Sequence, residues 1–257
     1  MNMSKKKWLF AGVTGLLIAI SIPDLTANAA PAAPIPGIDI KVGGDSVNGA
    51  SSTVTILLLL TVLSLAPAFL ILMTSFTRIV IVLGFVRTSL GTQQMPPNQV
   101  LVGLALFLTL FIMAPTLGDI NQVAVQPYIK GELNQTQALE KAAEPIKKFM
   151  WSHTRPKDLQ LFLDYSNAEK PNGPEDTPIA ALVPAFAISE LKTAFQMGFM
   201  IFIPFLVIDM IISSTLMAMG MMMLPPVMIS LPFKILLFVL VDGWYLVVKS
   251  LLVSYHT

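Results

Sequence analysis

Residues 100–117 read VLVGLALFLTLFIMAPTL and contain no charged side chain. A helix crosses the hydrocarbon core of a bilayer with about 20 predominantly apolar residues. Residues 101–113 of this stretch present apolar side chains on every helical face, and Pro96 and Pro97 before it favour a helix start. The stretch therefore predicts a membrane helix.

Three other segments have the same apolar character, at residues 54–73, 184–213 and 225–253. Across the 257 residues, 54% are hydrophobic and 12% are charged, whereas about 25% are charged in an average soluble domain. Apolar surface on this scale requires lipid or large partners. We therefore expect an all-α membrane protein in which these four segments span the bilayer.

The segments are expected to pair into two apolar helical hairpins. Residues 54–118 form the first hairpin and residues 185–257 form the second, which includes a methionine-rich loop. A charged exported segment, residues 119–184, joins them. A proline inside a helix removes a backbone donor and bends the helix, so both hairpins are expected to be kinked. The internal prolines are Pro67, Pro204 and Pro232.

The first 29 residues are typical of a secretory signal peptide. Residues 5–7 are lysines, residues 8–22 are largely apolar, and Ala27 and Ala29 place small residues at a cleavage site. We expect cleavage after Ala29. The alternative is an uncleaved first membrane helix, for which the apolar run is short.

The charges between the segments predict the orientation of the chain. The polar connection at residues 74–99 carries Arg78 and Arg87 and no acidic residue. By the positive-inside rule, this connection is a cytoplasmic loop. Residues 30–53, a flexible exported tail rich in Pro, Gly, Ser and Ala, and the charged segment at residues 119–184 are then periplasmic.

The charged segment is expected to contain short amphipathic helices that pack on the membrane domain. Apolar residues recur there at helical spacing. They are Leu139, Ala142, Ile146 and Phe149 or Met150, followed after Pro156 by Leu159, Phe162 and Leu163.

No enzyme motif accompanies these helices. The chain contains no phosphate-binding loop, no HExxH pair and no nucleophile elbow, and its two histidines, His153 and His256, have no apparent catalytic partner. It contains no cysteine. We therefore expect neither catalysis, nor a cofactor, nor a metal site. The scattered basic residues argue against binding of nucleic acid.

Charges within or beside the apolar segments are more informative, because a charge in hydrocarbon requires a partner or water. Glu190 and Lys192 lie on different faces of one helix and are expected to contact another helix or another subunit. Asp209 is either a coupling carboxylate or the end of a span, and we favour the second. Lys234 and Asp242, about two helical turns apart, form a shared polar seam or reach opposite interfaces.

Methionine is concentrated in the second hairpin, where nine of the 15 fall between Met197 and Met228. Met221, Met222 and Met223 are consecutive, directly before Leu-Pro-Pro. Flexible thioethers adapt to irregular surfaces. Several copies of such a turn around an axis would form a deformable apolar collar that seals a pore.

Long motifs in both halves resemble the FliP/SctR family of type III secretion export-gate proteins. The motifs are TSFTRIVIVLGFVR at residues 74–87, QMPPNQ at 94–99, SELKTAF at 189–195, FIPFLVID at 202–209, GMMMLPPVM at 220–228 and LPFKILLFVLVDGW at 231–244.

The resemblance covers about residues 54–253. It implies a subunit that assembles with its own copies, in a pentamer, and with FliQ, FliR and other export proteins. It further implies a helical channel complex, in the bacterial inner membrane and flagellar basal body, through which unfolded flagellar subunits pass. The resemblance also implies a pore gasket at Met221, Met222 and Met223 and intersubunit contacts at Glu190 and Lys192.

Two alternatives stay open at this point. The first is a proton-coupled transporter or ion channel that uses Asp209. The second is the virulence counterpart of the same family, which exports effectors in place of flagellar subunits.

Overall fold

The computed structural model describes residues 49–92, 94–166, 168, 171–221 and 225–255. The signal peptide with Ala27 and Ala29, nearly all of the exported tail, Met222, Met223 and His256 lie outside these residues. The described part contains no strand, which confirms the all-α fold class. Its helices are α1 (Gly49–Leu72), α2 (Phe76–Leu90), α3 (Asn98–Ile120), a π-helical turn (Asn121–Val125), α4 (Gln126–Ile129), α5 (Gln135–His153), α6 (Pro156–Ser166), α7 (Ile179–Ala218), α8 (Pro226–Leu240) and α9 (Gly243–Val253).

Two of the described helices have the length and composition to cross a membrane. One is Asn98–Ile129, 32 residues that run from α3 through the π turn to α4, and the other is the 40-residue α7. The pair α8 and α9 supplies a third span if its two helices act as one. The described residues therefore support two or three spans by length and composition, and a fourth span at the first apolar segment, which forms α1, stays a prediction.

The connection after α1 differs from the sequence-based expectation. Residues 76–90 were expected to lie in a polar cytoplasmic loop, but they form α2, a helix whose apolar face is buried. Its buried side chains include Ile79, Val82, Leu83 and Val86, which recur at the 3.6-residue period of a helix face. The helix ends at Gly91, whose φ of 74° suits a C-cap glycine.

Helix α2 forms the centre of the compact unit that comprises residues 61–257. It packs chiefly along α7, and Gly198 permits the close approach. A Cβ atom at Gly198 would lie 2.4 Å from the ring of Phe85. The same ring meets Phe195 edge to face at 5.3 Å. The buried face of α2 is thereby held against the first half of α7.

The charged segment forms amphipathic helices, as predicted. In α5, Asn134 caps the N-terminus through a reciprocal pair of hydrogen bonds with Gln137. An apolar cluster separate from the buried face of α2 joins α5 and α6 to the start of α7. Its members are Met150, Leu159, Leu163, Ala181, Leu182, Ala185 and Phe186. Leu139 is the exception, because 65% of it is exposed.

The fourth apolar segment is broken at Asp242, whereas α7 and α8 continue helically through Pro204 and Pro232. Helices α8 and α9 meet at 61°. Asp242 has a φ of 51°, in the left-handed region, and a Cβ at Gly243 would lie 2.3 Å from the ring of Phe238. The sharp bend thus depends on an Asp-Gly pair and not on proline.

Candidate functional site

An ion pair between Arg78 on α2 and Glu190 on α7 lies in the interior of the chain. Arg78 Nε donates to Glu190 Oε2 at 2.9 Å, and Arg78 Nη2 donates to Glu190 Oε1. The Glu190 side chain is 0% exposed and that of Arg78 is 4% exposed. Planar bidentate pairs of this type combine strong hydrogen bonds with fixed geometry.

Residues that follow α9 complete the shell around Arg78. Its Nη1 donates to the carbonyl and the hydroxyl of Ser254 at 3.1 and 2.9 Å. The guanidinium carbon lies 3.9 Å from the centre of the Tyr255 ring, a cation–π geometry. The Tyr255 hydroxyl donates to Glu190 Oε2. Every nitrogen of this guanidinium therefore has an acceptor.

Burial, followed by the nearby Glu190 carboxylate, raises the pKa of the Tyr255 phenol well above its usual value. The nearby Arg78 charge opposes that rise. The phenol consequently stays protonated and remains a hydrogen-bond donor to Glu190. The described geometry joins α2, α7 and the residues after α9 at one buried cluster.

A polar junction next to this cluster attaches the charged segment to α7. The Ser189 hydroxyl donates to Asp158 Oδ2 at 2.7 Å and accepts from the backbone N–H of Arg155 at 3.1 Å. Arg155 Nη2 donates to Thr193 and Gln196 at 3.1 and 3.2 Å. The start of α6 is thereby bonded to successive turns of α7.

A second ion pair joins α7 to α8. Lys234 Nζ donates to Asp209 Oδ2 at 2.7 Å and to the Ser89 carbonyl at 3.2 Å. The Ser230 hydroxyl donates to Asp209 Oδ1 at 2.5 Å. The Lys234 side chain is 4% exposed, whereas that of Asp209 is 32% exposed. Both Asp209 oxygens are therefore bonded within the chain.

These contacts correct several sequence-based expectations. Arg78 is not a free charge of a cytoplasmic loop, because Glu190 neutralises it. Glu190 pairs with Arg78 on another helix of its own chain, one of the two kinds of partner expected, and not with another subunit as the resemblance implied. The chain does not turn at Asp209, since α7 continues helically to Ala218. Lys234 pairs with Asp209 and not with Asp242, because the left-handed conformation at Asp242 breaks the helix that the spacing argument assumed.

The remaining predicted charges lie outside the buried cluster. Lys192 is exposed on α7. Arg87 is half-buried and donates to the side chain of Asn98, so it supports the start of α3. Asp242 is exposed at the bend between α8 and α9. His153 contacts the rings of Phe149 and Tyr255, an aromatic packing role for which the sequence offered no specific signal.

The methionine-rich turn begins where α7 ends. Gly220 has a φ of 72°, and Met219 and Met221 on either side of it are 64% and 44% exposed. Met200, Met210, Met217 and Met228 are also exposed. Most of the described methionines of this region are thus exposed, whereas Met197 is half-buried against the core. Among the described residues, no group of three His, Cys, Asp or Glu side chains is arranged to hold a metal ion.

Comparison with known proteins identifies the family. Residues 59–251 match the FliP family. The flagellar biosynthetic protein FliP of Bacillus subtilis is 67% identical over 218 residues, which cover 85% of this chain and 98% of that relative. The chain belongs to the FliP family.

More distant relatives in the FliP family match over nearly the whole chain. The flagellar biosynthetic protein FliP of Borreliella burgdorferi is 45% identical over 251 residues, which cover 96% of this chain and 97% of the relative. That of Aquifex aeolicus is 48% identical over 225 residues. Membership of the FliP family confirms the sequence-based resemblance and the expected role in flagellar protein export at the membrane.

Proposed function

We propose that this chain is a pore-forming subunit of the flagellar type III export gate, through which unfolded flagellar subunits cross the inner membrane. The observation that carries the proposal is the surface of α7. This helix is long enough to span a bilayer, its ionisable residues Glu190 and Asp209 are paired inside the chain, and much of its apolar surface is exposed. Such a surface is suited to lipid and to neighbouring subunits.

The proposed complex contains several copies of this chain, a pentamer in the family resemblance, together with FliQ, FliR and other export proteins. Large exposed apolar patches on soluble proteins mark interaction surfaces, and on a membrane protein such faces contact lipid or neighbouring subunits. Helix α3 exposes Phe107 and Phe111, and α7 exposes Phe195 and Phe199. We assign subunit contact to these faces, with the exposed Lys192 at the polar end of the α7 face.

The proposed gate is closed by Met221, Met222 and Met223. The described part of this turn supports the proposal, because Met219 and Met221 are exposed on both sides of Gly220. A ring of such turns is apolar enough to exclude ions and soft enough to yield to a passing chain. This mechanism needs no catalytic group, and we propose no enzymatic activity.

The proposed orientation places the charged segment and the mature N-terminus in the periplasm. The burial of Arg78 changes the basis of this orientation. The positive-inside rule counts charges in loops beside the membrane, and a buried, neutralised arginine is not one of them. The orientation therefore rests on Arg87 and on the basic residues of the signal peptide.

The described contacts favour the gate over the two alternatives. A proton carrier built on Asp209 requires an unpaired carboxylate, whereas Lys234 and Ser230 bind both of its oxygens. The relatives in Bacillus subtilis, Borreliella burgdorferi and Aquifex aeolicus are named as flagellar proteins, which supports flagellar export over virulence export.

Complementation tests the function directly. A flagellated strain that lacks its own family member should regain motility and release flagellar subunits into the medium when it expresses this chain. Co-purification with FliQ and FliR from the same cells tests the proposed partners. Stable, membrane-inserted chain that restores neither secretion nor co-purification in its own host would contradict the proposal.

A further inference from the structure

Pro204 interrupts the backbone hydrogen bonding of α7 at an interior position of this 40-residue helix. Proline has no N–H, so the carbonyl of Met200, four residues earlier, has no donor within the helix. Bends in long helices concentrate at such positions. The Pro204 side chain is exposed, so its ring is not enclosed by the core. The helix therefore bends easily at this point.

The part of α7 before Pro204 is fixed to α2 and α6. Arg78 on α2 donates to Glu190 at 2.9 Å, and the Ser189 hydroxyl donates to Asp158 on α6 at 2.7 Å. Hydrogen bonds to charged groups are among the stronger ones in proteins. This part of α7 therefore belongs to one body with α2 and α6.

The part of α7 after the proline has its hydrogen-bond partners on α8. Asp209 accepts from Lys234 at 2.7 Å and from Ser230 at 2.5 Å. The rings of Phe205 and Phe238 also meet across the two helices, with their centres 6.3 Å apart. These contacts couple the end of α7 to α8, so the two helices are expected to move together.

Residues 205–240 comprise the end of α7, the methionine-rich turn and α8, and we call them the distal hairpin. Its base is held in the interior of the chain. Phe205 and Phe238 belong to the buried cluster that includes the apolar face of α2, and Lys234 Nζ donates to the Ser89 carbonyl at 3.2 Å. The base is therefore suited to act as a pivot.

The tip of the distal hairpin, at the methionine-rich turn, lies largely outside the core. Met217, Met219 and Met228 are exposed there, although Leu216 is buried. Helix α8 packs chiefly on α7 and only slightly on α2. A hairpin that is held at its base and exposed at its tip has the geometry of a hinged lever.

We propose that the distal hairpin is a lever that opens the export gate by rotating about Pro204. The contacts of Asp209 with Lys234 and Ser230 keep its two helices together during the movement. This inference rests on the proposed gate function and specifies how the gasket moves. Rotation at the base displaces the tip furthest, and the gasket at residues 221–223 belongs to the tip.

The surfaces that we assign to subunit contact lie outside the lever. Phe195 and Phe199 precede Pro204 on α7, and Phe107 and Phe111 lie on α3. A ring of subunits would therefore keep these contacts while its distal hairpins rotate. The pore would widen without dissociation of the ring.

Pro204→Ala tests the hinge in cells that depend on this chain for flagellar export. The new N–H bonds to the Met200 carbonyl, and this bond has to break when the helix bends. Export should fall about fivefold, the effect of one hydrogen bond on the equilibrium between closed and open gate. Assembly and resting membrane conductance should equal those of the wild type. Wild-type export in Pro204→Ala would overturn the lever and leave the gate function standing.

Pro204→Gly separates a hinge from a merely structural role. Glycine destabilises a helix interior more than alanine does, so a structural role predicts less export in Pro204→Gly than in Pro204→Ala. A hinge predicts the reverse order, because glycine keeps the backbone easy to bend. Lower export in the glycine variant than in the alanine variant would contradict the lever.

Pro184→Ala is the matched control, because Pro184 is the other proline inside α7. Leu182 and Phe186 on either side of it are buried in the same apolar cluster with α5 and α6. No hinge is expected between two points of one body, so export should stay at the wild-type level. Equal losses of export in Pro184→Ala and Pro204→Ala would contradict a specific hinge.

Distances between spin labels test the movement itself, and the chain has no cysteine that would compete for the label. Lys157→Cys with Ala218→Cys spans the hinge, whereas Lys157→Cys with Lys141→Cys does not. All three positions are exposed. The labelled chain is diluted with unlabelled copies in the assembled complex. The complex is measured empty and with an arrested flagellar subunit that is fused to a stably folded domain.

The arrested subunit should produce a second distance for the pair that spans the hinge and none for the control pair. In Pro204→Ala the second distance should be about fivefold less populated, in line with its export. A complex that holds the arrested subunit without a new distance across the hinge would overturn the lever, although the gate function would stand. A new distance in both pairs would assign the movement to the whole subunit.

Discussion

Arg78 and Glu190 are 112 positions apart in the sequence and form a bidentate ion pair inside the chain. The pair joins the first turn of α2 to α7. Replacing a buried ion pair with apolar residues is often tolerated, but removing one partner leaves an uncompensated charge. The pair therefore determines how these two helices meet.

Glu190→Gln should destabilise the chain by about 3–5 kcal/mol, because it leaves the Arg78 charge buried without a counterion. The measurement is denaturation of the purified protein in mixed micelles, followed by circular dichroism. Glu144→Gln breaks the exposed pair with Lys141, whose side chains are both 51% exposed, and should cost less than about 1 kcal/mol. Similar losses in the free energy of unfolding for both variants would show that the buried pair contributes no more to stability than the exposed one.

Asp209→Asn should destabilise the chain by about 1.5–3 kcal/mol, because Lys234 keeps its burial and loses its charged partner. Asp209→Leu combined with Lys234→Met should recover most of this loss, since apolar replacement of both partners removes the unpaired charge. Proton flux across vesicles that contain the complex should not change in the double variant. Flux that disappears with the carboxylate, at unchanged stability, would restore the proton-carrier alternative.

Gly198→Ala should separate α2 from α7 and destabilise the chain by about 1–3 kcal/mol through overpacking, because the new methyl group would lie 2.4 Å from the Phe85 ring. Phe85→Leu in the same chain should relieve part of this cost. Gly103→Ala is the control, as no atom lies within 4 Å of its added Cβ, and it should be neutral or stabilising. A neutral Gly198→Ala would contradict the close packing of these helices.

Tyr255 should make the chain sensitive to alkaline pH. Its pKa is raised in the folded state, mainly by burial, so above pH ~10 the unfolded chain loses the phenolic proton while the folded chain keeps it. The contribution of the protonated Tyr255 phenol to the free energy of unfolding is thus complete below pH ~10. It declines above that pH, by at most about 1.4 kcal/mol per pH unit.

Unfolding of the wild type and of Tyr255→Phe at pH 8 to 11 measures this contribution. Tyr255→Phe keeps the ring beneath Arg78 but lacks the titrating hydroxyl. It should be less stable at pH 8 by about 1–2 kcal/mol, the effect of a lost hydrogen bond, and the difference should narrow as the pH rises. A difference that is constant with pH would show that this phenol does not titrate on unfolding.

Alanine at Met221, Met222 and Met223 together should open the resting gate to small ions while protein export continues, because the smaller side chains no longer fill the pore. Membrane conductance and growth on high salt are the measurements. Met95→Ala, which removes an exposed methionine outside the methionine-rich turn, should leave conductance at the wild-type level. Membranes that stay tight in the triple variant would contradict the gasket.

Local pattern predicted much of the fold. The apolar runs predicted α3, α7 and α8, and the spacing of Leu159 and Leu163 predicted the buried face of α6. These signals depend on neighbours within a few turns of one helix. Helix α2 was missed because Arg78 and Arg87, with no acidic residue nearby, resembled the charges of a cytoplasmic loop. Its buried apolar period was present in the sequence throughout.

The two buried ion pairs could not be predicted from local sequence pattern, because the two residues of each pair lie on different helices. Lys234 seemed to face Asp242 at helical spacing, yet Asp242 has left-handed backbone and α9 turns away by 61°. One residue outside the helical region invalidates a periodicity argument across it. The position of Ser254 and Tyr255 around Arg78 likewise depends on that turn, and the sequence contained no separate signal for it.

The composition of the shell around Arg78 also sets an order of events during translation. Glu190 follows Arg78 by 112 positions and Ser254 follows it by 176. At the ~5–20 residues per second of protein synthesis, the last of these contacts emerges on the order of ten to thirty seconds after α2. Until Glu190 is made, about six to twenty seconds after Arg78 at the same rate, the nascent α2 carries a guanidinium without its counterion. Helix α2 is consequently synthesised well before the residues that surround its buried charge in the folded chain.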